Sequence, residues 1–149
     1  MHKYSIKATV ELQKYKKIIN DLNISELLNL NIIALAIKSE HKGSALKKLE
    51  QMLKIKSPDF KCCKKSRLGN VRVLRMSEDQ LFIIYHSDSE ELLQNLLNEI
   101  DKFFYITEQT DAWTGIKISG KKVYDCMERL CSLDLSQENF DSDYFARTT

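Results

Sequence analysis

The chain has 149 residues, 43% hydrophobic and 30% charged, a balance that excludes disordered and fibrous classes and suits one domain or two small lobes sharing a core. Basic and acidic residues number 23 and 21, leaving a formal net charge of +2, too even to select a polyanionic partner such as nucleic acid. Four glycines and one proline imply regular elements joined by short polar turns.

The N-terminal M-H-K-Y-S-I-K-A-T-V has no unbroken apolar core and no small-residue cleavage site, and runs such as Leu81 to Tyr85 are too short to cross a bilayer. With Cys62 and Cys63 adjacent and no export signal, the four cysteines read as reduced thiols, so a cytoplasmic location away from membranes is expected. Residues 1–30 read as an N-terminal arm or helix. Val10, Leu12, Tyr15, Ile18, Ile19 and Leu22 can share one helical face, and Ser25 before Glu26-Leu27-Leu28 gives a weak helix start.

Residues 31–149 read as an α+β domain. Ile32 to Ile37 is a nearly continuous apolar run, the signature of a buried strand. Gly43 and Ser44 open a helix whose stripe is Ala45, Leu46, Leu49, Met52 and Leu53, and Ser57-Pro58-Asp59 ends the unit. Lys61 to Asn70 is the most basic stretch and reads as a loop or irregular edge. Val71, Val73, Leu74 and Met76 form a strand. Ser77 to Gln80 make a turn, and Leu81 to Tyr85 form a more buried strand of the same hairpin. Ser87-Asp88-Ser89-Glu90 fits a capping box ahead of a helix carrying Leu92, Leu93, Leu96, Leu97 and Ile100. Phe103–Thr107 and Thr114–Ser119 give two further strands. Gly120 then turns the chain into a helix with Val123, Cys126, Met127 and Leu130 on one face. From residue 71 the order is strand-strand-helix, twice, which predicts a mainly antiparallel sheet with helices packed on one face.

No residue in this layout is assigned to catalysis, cofactor binding or metal binding. Cys126 and Cys131 lie about 140° apart around a helix. Cys62-Cys63 lacks a spacer, and His2, His41 and His86 make no ligand pair, so zinc is not expected. Cys131 sits near a helix C-terminus, where the dipole disfavours a thiolate, and ordinary packing is the expected role. Ser119-Gly120-Lys121-Lys122 could hold an anion at a helix start, yet neither phosphate-loop pattern is present and a plain turn is the simpler reading. Lys61, Lys64, Lys65 and Arg67 read as a solvated basic loop without the interleaved aromatics of a nucleic-acid face. Trp113 reads as a core plug before an interface anchor.

Over Thr110 to Leu135 the sequence resembles the gamma subunit of heterotetrameric sarcosine oxidase. Three features carry the likeness: the turn Asp111-Ala112-Trp113, the strand Ile116-Lys117-Ile118 ending in Ser119-Gly120, and a helix running into Leu130-Cys131-Ser132-Leu133-Asp134-Leu135. Phe140, Ala146-Arg147-Thr148 and the hairpin Leu74 to Leu81 resemble further family segments. Ser77-Glu78 replaces the family's Gly-Pro, Leu81 its tryptophan and Ser132 its proline, and the family continues with strands beyond the position of Thr149. The resemblance implies a fold like the folate-binding domain of aminomethyltransferases, and a non-catalytic subunit of an oxidoreductase that demethylates sarcosine to glycine. In that complex the one-carbon unit passes to tetrahydrofolate and hydrogen peroxide is made. It also implies that flavin, NAD and tetrahydrofolate sit on larger flavoprotein subunits, zinc on a small one, and that a sheet edge is covered by a partner. A stand-alone folate-binding or aminomethyl-transfer domain is the alternative, and a small adaptor unrelated to folate a third possibility.

Overall fold

The computed structural model describes residues 15–68, 70–136 and 139–148. Along the chain these form strand β1 (Lys16–Ile19), β2 (Leu22–Glu26), β3 (Leu30–Ile37), helix α1 (Ala45–Leu53), β4 (Cys63–Lys65), β5 (Val71–Arg75), β6 (Gln80–His86), α2 (Glu90–Ile100), β7 (Phe104–Glu108), β8 (Ile116–Gly120) and α3 (Val123–Leu130).

Two antiparallel sheets result, a five-stranded one ordered β4-β5-β6-β3-β7 and a three-stranded one ordered β1-β2-β8. Since β6 and β7 both run antiparallel to β3, they run parallel to each other, and α2 is the crossover between them. By the same reasoning α1 links β3 to the parallel β5. Thus β3-α1-β5-β6-α2-β7 is a split β-α-β-β-α-β unit with β4 added at one edge. The α+β class expected from the sequence is what the chain adopts.

The large sheet has period-two burial. Ile33, Leu35 and Ile37 on β3, Val71 and Val73 on β5, and Leu81, Ile83 and Tyr85 on β6 all point to one side and are buried. Against them pack Ala45, Leu49 and Leu53 of α1 and Leu93, Leu96 and Ile100 of α2, the i, i+4 and i+3/i+4 stripes read from the sequence. Helix α1 stops at Lys54, whose left-handed backbone lets its amide reach back to Glu50 O, while the Glu50 carboxylate accepts from Ser57 N at 2.6 Å.

Three local expectations fail. Residues 16–26, within the stretch read as an arm or helix, form a hairpin and no helix, because Asn20 and Asp21 both take positive φ (45° and 69°), the backbone of a two-residue primed turn, and Ile19 faces Leu22 across it. Val10 and Leu12 of that expected face lie outside the described residues. The capping box does not form. Ser89 is the N-cap of α2 without a side-chain cap, its buried hydroxyl accepting from Asn70 N at 3.3 Å and donating to Asp88 at 3.2 Å. Finally, the second strand-strand-helix unit does not stay in one sheet as the sequence order predicts: β7 pairs with β3, whereas β8 pairs with β2 in the other sheet.

Candidate functional site

The residues that could have carried chemistry are dispersed. All four cysteines are free thiols. Cys63 is buried on β4, its backbone N–H donating to Asp143 O at 2.6 Å, and burial pushes its thiol pKa up, away from a reactive thiolate. Cys126 lies on α3 and Cys131 caps its C-terminus. His41 packs edge-on against Phe103 with ring centroids 5.0 Å apart, and His86 Nδ1 lies 3.7 Å from Asp88. Among the described residues no three His, Cys, Asp or Glu side chains converge as metal ligands.

Of the basic stretch read as a loop or irregular edge, Cys63–Lys65 form the short edge strand β4, and the other described residues are turn and loop. Lys64 ion-pairs with Asp143, and Cys62 bridges to Tyr144, so residues 142–145 run along the outer side of β4 and cover that edge. Ser119 to Lys122 is a corner. Gly120 has φ 130°, and a Cβ there would collide with the carbonyl oxygen of Asp21 in the β1–β2 turn, so glycine is required by the close crossing of two backbones.

Two surface features stand out once these are placed. The first is the small sheet with α3. Leu22, Ile24, Ile116 and Ile118 share its α3-facing side, yet no residue of β1, β2, β8 or α3 is buried. Ile18 is 69% exposed, Leu130 68% and Ile116 51%. A helix with an apolar face that buries nothing is a helix with room for a neighbour. Among the described residues, the β7 edge of the large sheet also has no strand paired on it. Lys38 N donates to Phe103 O and Gln109 N to Ile32 O. These bonds fix the pairing phase, so Phe104, Ile106 and Glu108 turn their backbone groups away from β3.

The second feature is a cleft of about 240 Å³ where the two sheets meet, walled by the β2–β3 connection and residues 110–115. Four inter-segment bonds fix its rim: Ile32 N to Thr110 Oγ1 (2.9 Å), Gln109 N to Ile32 O (2.9 Å), Leu27 N to Gly115 O (2.8 Å) and Ser87 N to Asn29 O (3.1 Å). Trp113 lines the cleft. It is 48% exposed and touches Phe82 edge-to-face at 5.9 Å, so it is no core plug. The sequence offered no local sign of this cleft, whose walls are far apart in the chain.

No family model and no curated protein matches this chain. Among solved structures it is similar to a chain of the heterotetrameric sarcosine oxidase from Corynebacterium sp. U-96, determined in complex with pyrrole 2-carboxylate. The TM-score is 0.63 at 14% identity, over 80% of this chain and 60% of that one. At this identity the likeness is one of fold, and this chain spans about 60% of the length of the chain it matches.

Proposed function

We propose that this chain is a non-catalytic subunit of a sarcosine oxidase-like hetero-oligomer, holding larger flavoprotein subunits through the small sheet, α3 and the open β7 edge. The fold likeness to a chain of a heterotetrameric oxidase carries this reading. It is supported by exposed apolar residues on both faces of an element with no interior of its own, Ile18 and Ile116 among them. In this reading the complex works in the cytoplasm on sarcosine, with flavin, NAD and tetrahydrofolate held by the partners, and this chain supplies surface and no reacting group. The described part has no helix long and apolar enough to cross a membrane.

Co-expression with candidate flavoprotein subunits tests it. Expected is a stable complex that carries flavin, oxidises sarcosine and releases hydrogen peroxide. Ile18→Asp combined with Leu130→Asp abolishes co-purification while leaving the folded chain intact, because both side chains are already exposed. A monodisperse monomer that ignores those subunits and binds tetrahydrofolate in calorimetry overturns the reading in favour of a stand-alone folate-binding domain.

A further inference from the structure

We propose that two copies of the free chain pair through their β7 strands, edge to edge and antiparallel, into a symmetric dimer. The inference does not rest on the subunit reading, since a larger subunit reaches the same edge once the second copy leaves.

The fold treats the two outer edges of the large sheet differently. β4 carries Lys64 and Lys65 and is covered by residues 142–145. β7 has no strand on its outer side among the described residues, and it carries none of the devices that usually blunt an edge. Its sequence is Phe-Tyr-Ile-Thr-Glu, without proline or lysine, and its register with β3 runs unbroken from Ile37 and Phe104 to Ile33 and Glu108. Phenylalanine, tyrosine, isoleucine and threonine all favour an extended backbone.

This edge complements itself. Phe104, Ile106 and Glu108 are the residues whose N–H and C=O groups face outward, so the register that uses the whole strand is centred on Ile106. There Ile106 meets the partner's Ile106, and Phe104 meets the partner's Glu108, each facing pair exchanging two backbone hydrogen bonds. On the other face of the sheet Tyr105, 63% exposed, lies beside the partner's Thr107. Lys102 comes two residues before Phe104, so Glu108 has the partner's Lys102 as a diagonal neighbour, within reach of long side chains. The dyad makes that contact of opposite charges twice. Both residues are free to make it, because neither has an ion-pair partner among the described residues. Lys102, whose charge also reaches Glu99, lies over the Phe103 ring at 5.1 Å, and the Glu108 carboxylate accepts from the Thr110 N–H and hydroxyl.

One strand pair is a small contact, so the dimer is expected to separate on dilution. Sedimentation velocity of the full chain, from about 1 mM down to about 1 μM, spans the affinities of such contacts. Lys102→Glu sets glutamate against glutamate and Glu108→Lys sets lysine against lysine, and each raises the dimer Kd by about tenfold. Their equimolar mixture puts opposite charges back at both contacts and forms a heterodimer near the wild-type Kd, a rescue that damaged folding cannot mimic. Glu108→Lys also loses the bonds from Thr110, so a second measurement does without it. Added salt weakens the wild-type dimer and strengthens that of Lys102→Glu, since screening removes an attraction in one and a repulsion in the other. A monomer at every concentration, a wild-type Kd in Lys102→Glu, a mixture no tighter than its components, or salt responses of the same sign each overturn the proposal.

Discussion

Leu35 on β3 and Ile116 on β8 are both apolar residues in antiparallel strands, yet the first is 1% exposed and the second 51%. The large sheet is roofed by two helices of nine and eleven residues, each burying three side chains in a continuous core. The small sheet has one eight-residue helix, which buries none. A single short helix over three short strands removes too little apolar area from water to offset the ordering of those residues. The large sheet therefore explains why the chain folds. The small one, apolar and unfinished, explains where a neighbour would be stabilising.

The sharpest way to break this contrast is to truncate one large apolar side chain in each sheet. Phe104 of β7, 1% exposed in the core cluster, should cost about 3–5 kcal/mol when replaced by alanine, since the cavity cannot close fully. Ile116→Ala should cost less than about 1 kcal/mol, because half of that side chain is already in water. Urea unfolding of the two variants decides the matter. Similar losses would mean that the small sheet has a working core after all.

Gly120→Ala should fall between those two. The residue must take a positive φ and its Cβ must displace the Asp21 carbonyl, for a loss of roughly 1–3 kcal/mol. The loss should stay in the small sheet. Hydrogen exchange should speed up at the amides of β1, β2 and β8 and leave β3 and β6 protected, as expected for a unit that opens on its own. Faster exchange throughout β3 and β6 would show one cooperative unit instead of two. In a complex of the proposed kind, the same substitution should also weaken assembly.

How far the sequence discloses this arrangement follows the same division. The strands at 30–37, 71–75 and 80–86 and the stripes of α1 and α2 are readable because burial imposes their period, and a strongly buried element leaves a strong pattern. The small sheet leaves a poor one. Lys16 and Lys17 sit beside Ile18 and Ile19, which suits neither a helix nor a half-buried strand. The usable sign was Asn20-Asp21, two residues tolerant of positive φ at a two-residue turn. Pairing of β8 with β2 instead of β7 is non-local and has no signature in either strand. The cleft joins Ile32 to Thr110, 78 positions apart, so no single stretch announces it. Trp113 shows the limit of composition, since a lone indole before a strand can plug a core or face a cleft with the same sequence around it.

The smallest effect tests whether the large sheet's two helices act together. Lys48 on α1 reaches Glu99 on α2 at 2.8 Å, with side chains 30% and 58% exposed. The hydrogen bond from Lys48, and then its charge, holds the Glu99 carboxyl below its ordinary value. A carboxyl depressed in the folded state stabilises above its unfolded pKa, and that contribution disappears as pH falls through the depressed folded value. Stability of the wild type should therefore decline slightly more steeply than that of Glu99→Gln as pH drops from neutral through the ordinary carboxylate range. Solvent screening keeps the difference small. Because the pair links α1 to α2, exchange rates in β1, β2 and β8 should not respond to Glu99→Gln at any pH. A response there would show that the helical roof and the small sheet are energetically coupled, which their separate burial argues against.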